Sequence, residues 1–136
     1  MTRAGPASAI LRDVHEPPFS GIWYAIGVYC PVRFVETPVF TASLRRLLND
    51  EQYRALQLAL VLRPDQGRLI PRGGGLRKLR WGAAGRGKCG GVRTIYYWAV
   101  AEDVCFMLYV YAKNEQGDLT AAQMRVLVRL VREEFK

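Results

Sequence analysis

The sequence has few of the residues from which metal sites and catalytic triads are built. Its one histidine is His15, and its three cysteines, Cys30, Cys89 and Cys105, lie far apart without a CxxC pair. Zinc sites and disulfide frameworks need cysteine and histidine at short, fixed spacings, and nucleophilic triads need a histidine. The sequence therefore predicts reduced thiols, no metal site and no cofactor.

Long hydrophobic segments are also missing. The longest apolar run near the N-terminus covers residues 21–30, about half of the roughly 20 residues that a membrane-spanning helix requires. Acidic residues and prolines precede it, and no small-x-small cleavage site follows it before Arg33, which argues against a signal peptide. We therefore expect no membrane association and a cytoplasmic location.

Acidic residues are nearly absent from residues 63–93. This segment has one acid, Asp65, and nine arginines or lysines, and elsewhere acids and bases cancel, so it accounts for the formal net charge of +8. A surface whose charges only keep a protein soluble mixes positive and negative residues. Positive charge concentrated in one segment is typical of a surface that binds a polyanion. Arginine predominates there, which favours bidentate contacts with phosphate.

The chain is long enough for one domain. It has 136 residues, of which 50% are hydrophobic, enough for a modest core. Residues 1–31 have neither a helical nor an alternating period and contain four of the seven prolines. We predict that they are an extension, either disordered or added by an upstream start assignment, and that the folded domain covers residues 32–136.

Capping residues predict three helices. Thr37 followed by Pro38 is typical of a helix start, and Asn49 with Gln52 forms a capping-box pattern directly after that helix. Thr120 begins a T-x-x-Q capping box before the last apolar stripe. The sequence thus predicts two N-terminal helices and a C-terminal helix.

Alternating and β-branched residues predict a small sheet between these helices. The glycine-rich residues 82–91 are predicted to be a flexible connection, and Glu102-Asp103 to be a hairpin turn. The predicted strands cover residues 32–36, 76–81, 92–100 and 104–114. The predicted fold class is α+β with a largely antiparallel sheet.

Three successive strands of this meander contribute basic residues that could converge. Strand alternation places Arg77 on a different face from Lys78 and Arg80, while Arg93, Ile95 and Tyr97 share a face. Converging cations predict a phosphate-binding site, and a solvated basic face that binds RNA passively is the simpler alternative. The candidate catalytic residues are Lys78, Arg80, Arg93, Arg77 and Lys113, and the candidate RNA-binding residues around them are Arg72, Arg86 and Lys88.

The glycine pattern Gly85-x-Gly87-x-x-Gly90 is similar to a dinucleotide-binding fingerprint. That motif requires a helix N-terminus directly after the glycines to hold phosphate. Here a β-branched and aromatic strand follows, so we exclude a nucleotide-binding loop.

Residues 73–80 (GGGLRKLR), 85–97 (GRGKCGGVRTIYY) and 111–120 (YAKNEQGDLT) together resemble toxins of the RelE/ParE superfamily, in particular the HigB-like branch. The resemblance covers about residues 32–136. It implies the toxin of a type II toxin-antitoxin system, an endoribonuclease (mRNA interferase) that cuts mRNA in the ribosomal A site and inhibits translation. Its implied partners are mRNA, the ribosome and an antitoxin with a helix-turn-helix domain.

By the same resemblance, Arg93 matches the arginine of the family's RVIYY-type strand, Lys78 and Arg80 match the basic strand before it, and Lys113 matches the basic residue that closes the last strand. No tyrosine stands in the C-terminal segment where RelE has a catalytic one, and Cys89 replaces a residue that is usually basic.

The resemblance suggests a division of catalytic work. Arginine does not exchange protons near neutral pH, so Arg93 and Arg80 are expected to stabilise the phosphoryl transition state. Lys78, crowded by cations, is expected to transfer a proton, with Arg77 and Lys113 in support. Two alternatives stay open: a ParE-like toxin that inhibits DNA gyrase without cutting RNA, and a passive basic RNA-binding module.

Overall fold

The computed structural model describes residues 12–14, 32–82 and 91–134. These residues form an α+β fold, as predicted, with a mixed sheet and three helices. In chain order the elements are β1 (Arg12–Val14), β2 (Arg33–Glu36), α1 (Pro38–Leu47), α2 (Asp50–Leu62), β3 (Arg68–Leu69), β4 (Leu76–Trp81), β5 (Val92–Ala99), β6 (Val104–Ala112) and α3 (Ala121–Glu134).

The sheet has the order β1-β2-β6-β5-β4-β3. The β2–β6 pair is parallel and the other neighbouring pairs are antiparallel. Strand β1 was not predicted, since its three residues lie inside the segment that we interpreted as an extension. Its pairing with β2 means that residues 12–14 belong to the sheet.

The predicted helix caps are present. The Thr37 hydroxyl accepts a hydrogen bond from the Phe40 N–H at 3.0 Å and donates one to the carbonyl oxygen of Leu108 at 2.8 Å. Asn49 and Gln52 form a reciprocal capping box. Thr120 does the same with Gln123, with bonds of 3.0 and 3.1 Å, so local sequence determines where all three helices begin.

Each face of the sheet has its own apolar cluster. The cluster on the side of α1 and α2 contains Phe40, Leu56 and Tyr96. The cluster on the other side joins strand residues such as Ile95 to the apolar face of α3, for example Leu130. We call these sides the α1–α2 face and the α3 face.

A β-bulge interrupts the pairing of β5 with β6. Ile95 lies opposite Tyr109, but Tyr96 lies opposite Met107, which leaves Leu108 as an extra residue on β6. An extra residue shifts the alternation of the bulged strand by one. Consequently Leu108 and Tyr109, although consecutive, both belong to the α3 side, and so does Tyr111.

Candidate functional site

The strand register places two arginines and a tyrosine in one row across the sheet. Arg80 of β4 lies opposite Arg93 of β5, and Arg93 lies opposite Tyr111 of β6. In the next row on the same face, Lys78 lies opposite Ile95. Lys78, Arg80 and Arg93 therefore share the α3 face.

Arg93 is the most unusual member of this group. It is only 7% exposed, and no carboxylate among the described residues forms an ion pair with it. Buried charges are normally paired, and like charges directly opposite each other in a sheet, here Arg80 and Arg93, are destabilising. This arrangement suits an anion that neutralises both guanidinium groups.

Lys78 has a partner that the sequence analysis did not predict. Its Nζ atom lies 3.2 Å from Oδ1 of Asp118, in the loop before α3, and its side chain is 29% exposed. The same carboxylate oxygen accepts the Leu119 N–H at 2.9 Å. The pKa of Asp118 is lowered, chiefly by this backbone hydrogen bond and then by the hydrogen bond from Lys78.

Two tyrosines of β6 border the cationic row. The rings of Tyr109 and Tyr111 lie 5.7 Å apart. The hydroxyl of Tyr111 is buried and has no hydrogen-bond partner among the described residues. Burial raises the pKa of Tyr111, the negative charge of Asp118 raises it further, and the positive charge of Arg93 opposes them.

Side-chain hydrogen bonds tie the loop that carries Asp118 to the sheet and to α3. The Gln116 amide donates to the carbonyl oxygen of Asp118 at 2.8 Å and to the side-chain oxygen of Gln123 at 2.6 Å. Gln123 in turn donates to the Tyr109 hydroxyl at 3.1 Å. This network holds Asp118 beside Lys78.

Arg77 does not join this cluster. It lies on the opposite face of β4, and its guanidinium donates to the carbonyl oxygens of Asp65 at 2.9 Å and Gly67 at 2.7 Å. The Gly67 N–H donates to the Tyr96 hydroxyl at 2.9 Å, and an added Cβ at Gly67 would lie 2.7 Å from the Tyr96 ring. Arg77 thus fastens the loop between α2 and β3.

The other predicted site residues differ in position. Lys113 follows β6 directly and is exposed, and its N–H donates to the carbonyl oxygen of Gly91 at 3.2 Å, which places it at the sheet end nearest the Arg80–Arg93 row. Arg72, which has a φ of 62°, precedes the other end of β4. Arg86 and Lys88 lie outside the described residues.

Sequence reasoning missed Asp118 and the role of Tyr111 as a member of the site. The sequence analysis assigned no role to the aromatic residues of β6. No local signal marks the bulge that turns Tyr111 toward Arg93, and Asp118 meets Lys78 across 40 positions of sequence.

Within the described ranges, no group of three or more His, Cys, Asp or Glu residues could hold a metal ion. The same ranges contain no helix with the length and apolar character needed to cross a membrane.

The described residues form a small α+β domain with a cluster of basic residues on its α3 face. A family model described as the RelE toxin of the RelE/RelB toxin-antitoxin system matches residues 41–135. The match begins inside α1, extends through α3 and includes the site residues on β4, β5 and β6, and the chain belongs to this toxin family. Its function is that of a toxin, and the family implies an antitoxin as partner. Assignment to the HigB-like branch stays a prediction.

Proposed function

We propose that this toxin is a ribosome-dependent endoribonuclease that cuts translated mRNA in the A site of cytoplasmic ribosomes. The observation that carries this proposal is the row formed by Arg80 and Arg93, where a buried guanidinium lacks an acidic partner among the described residues. A scissile phosphodiester would supply the missing negative charge. Lys78, on the same face, would supply a group able to exchange a proton.

The proposed reaction uses the 2′-hydroxyl of the RNA as nucleophile. Its oxygen attacks phosphorus and gives up its proton, a bond from the 2′-oxygen to phosphorus forms, and the bond to the 5′-oxygen breaks as that oxygen receives a proton. The products are a 2′,3′-cyclic phosphate and a 5′-hydroxyl. No metal takes part in this scheme.

Charge stabilisation fits the arginines and proton transfer fits the lysine. Guanidinium groups stay charged at neutral pH and bind phosphoryl oxygens in a bidentate manner. Each well-placed donor contributes about 2.7–4 kcal/mol to stabilisation of such a transition state. We assign Arg93 and Arg80 to the phosphoryl oxygens and Lys78 to proton transfer. For this role Lys78 must give up its contact with Asp118 and contact the RNA.

The remaining predicted residues have outer roles in this proposal. Lys113 supports the site from the adjacent sheet end, and Arg77 supports it indirectly by fixing the loop behind β4. Arg72, Arg86 and Lys88 bind flanking phosphates. The cognate helix-turn-helix antitoxin counteracts the toxin.

The test is primer extension on a cellular mRNA after brief induction without antitoxin. The wild type should cut within codons. Arg93→Ala and Lys78→Ala should each lower cutting by about 100-fold or more while the protein stays folded, and Arg54→Ala, which removes an exposed arginine of α2, should cut normally. Undiminished cutting by Arg93→Ala would contradict the assignment.

Lys78→Arg separates the two roles that Lys78 could have. Arginine keeps the charge but does not release its proton, so we expect no rescue. Full activity of Lys78→Arg would show a purely electrostatic role. Growth arrest with DNA-damage signalling and no mRNA cleavage would favour gyrase inhibition instead.

A further inference from the structure

Two buried hydroxyls on neighbouring strands have no hydrogen-bond partner among the described residues, those of Thr94 and Tyr111. A buried hydroxyl that lacks a partner has lost its hydrogen bonds to water without replacement, which is rare in folded proteins. Their surroundings differ. Thr94 lies between Leu79 and Val110 in the register, whereas Tyr111 lies directly beside Arg93.

Tyr111 and Arg93 are therefore adjacent hydrogen-bond donors on one face of the sheet, and the Tyr111 hydroxyl is the one that is buried without a partner. Tyr111 is 3% exposed and Arg93 is 7% exposed. An unpartnered hydroxyl beside a guanidinium that forms no ion pair among the described residues points to a single anionic acceptor group with several oxygens. A phosphodiester has two non-bridging oxygens and one negative charge.

We propose that the Tyr111 hydroxyl donates a hydrogen bond to a non-bridging oxygen of the phosphodiester that Arg93 binds. Tyr111 is then a further catalytic residue, one that touches the reacting phosphate. This inference rests on the proposed ribonuclease function. Tyr111 forms and breaks no covalent bond, so the proton balance of the reaction is unchanged.

The surroundings of Tyr111 suit a donor better than a base. Burial, and then the negative charge of Asp118, raise the pKa of Tyr111, so the hydroxyl keeps its proton near neutral pH. A phenol that stays protonated can stabilise developing phosphoryl charge, whereas it is a poor acceptor for the 2′-hydroxyl proton.

The location of Asp118 suggests how a phosphate could come to lie beside Tyr111 and Arg93. Its negative charge acts on both Tyr111 and Arg93, and it is hydrogen-bonded to Lys78. A phosphodiester carries the same charge, so it can replace Asp118 without leaving Lys78 unpaired. The Asp118 side chain is 74% exposed, which allows it to turn toward water while β6 stays in place.

The test compares Tyr111→Phe with Thr94→Val. Each change removes one buried, unpartnered hydroxyl and preserves side-chain shape, so each should raise the thermal unfolding midpoint. Only Tyr111→Phe should affect the site. We expect its kcat for mRNA cleavage on the ribosome to fall by about 10- to 100-fold, in the range for a hydrogen bond to a charged group.

A binding measurement makes this test independent of cleavage. The probe is a single-stranded 2′-O-methyl oligoribonucleotide, which lacks the nucleophile and cannot be cut by the proposed reaction. Tyr111→Phe should raise its dissociation constant by about 3- to 10-fold, and Thr94→Val should leave it unchanged. If the wild type binds this probe but does not cut mRNA, the proposed function fails, while weaker binding by Tyr111→Phe still supports the phosphate contact.

Four results would overturn the inference. They are unchanged cleavage and binding in Tyr111→Phe, a lowered unfolding midpoint in Tyr111→Phe, an equal loss of binding in Thr94→Val, and no binding of the probe by the wild type. The second result would show that the hydroxyl has a partner within the protein.

Discussion

Among single residues, Asp118 couples protein stability to pH at the candidate site. Its lowered pKa means that the folded protein favours the carboxylate. This stabilisation is present above the ordinary aspartate pKa of about 3.9 and disappears as pH falls through the lowered value. It is small, because the side chain is largely exposed and exposed ion pairs contribute about 0–1 kcal/mol.

We therefore expect Asp118→Asn to lower stability slightly near neutral pH and to have no effect in strong acid. Urea unfolding of both proteins at a series of pH values measures this difference. A difference that stays constant across the acid range would show that the carboxylate charge is not the cause.

At the level of elements, Thr37 connects helix α1 to strand β6. Its hydroxyl accepts the Phe40 N–H and donates to the Leu108 carbonyl, both in buried surroundings. Thr37→Ala removes a helix cap and leaves two buried backbone groups without partners, so we expect a loss of about 2–3 kcal/mol in the free energy of unfolding.

The matched control is Asn49→Ala, which removes an exposed helix cap at the start of α2. It should cost only about 1 kcal/mol. Denaturant unfolding of the two variants compares them directly, and equal losses would contradict a bridging role for Thr37.

The elements that the sequence predicted well are those with local signals. Capping residues predicted α1, α2 and α3, and alternation predicted β4, β5 and β6. Strands β1 and β3, of three and two residues, are too short for a period to be visible, and they form because partner strands are present. Such pairing depends on tertiary contacts and not on local sequence.

The same distinction applies to the candidate site. Alternation predicted that Arg77 lies on a different face from Lys78 and Arg80, and the register agrees. Arg77 was nevertheless a candidate catalytic residue, and its guanidinium instead binds carbonyl oxygens on the other face. Asp118 was missed because its contact with Lys78 arises only when the loop before α3 folds back onto the sheet. Neither its residue type nor its spacing indicates that contact.

For the whole molecule, the net charge of +8 predicts salt-dependent binding. Each phosphate contact on single-stranded RNA contributes about −0.7 to the slope of log affinity against log salt concentration, because counterions are released. Arg80→Ala should reduce the magnitude of this slope by about 0.7. Arg54→Ala, which changes an exposed residue of α2 on the α1–α2 side, should leave it unchanged. Filter binding to RNA or ribosomes at several salt concentrations measures the slope, and a value near zero for the wild type would exclude the basic segment as the binding surface.

The bulge at Leu108 has a consequence for how whole sequences of this family are compared. In a relative whose last strand lacks the extra residue, the alignment can place the one-residue gap in an adjacent loop instead of at the bulge. Residues that share a column after position 108 would then lie on opposite faces of their sheets. A tyrosine aligned with Tyr111 in such a relative would lie on the opposite face of its sheet. The residue equivalent to Tyr111 in position would be found one column away.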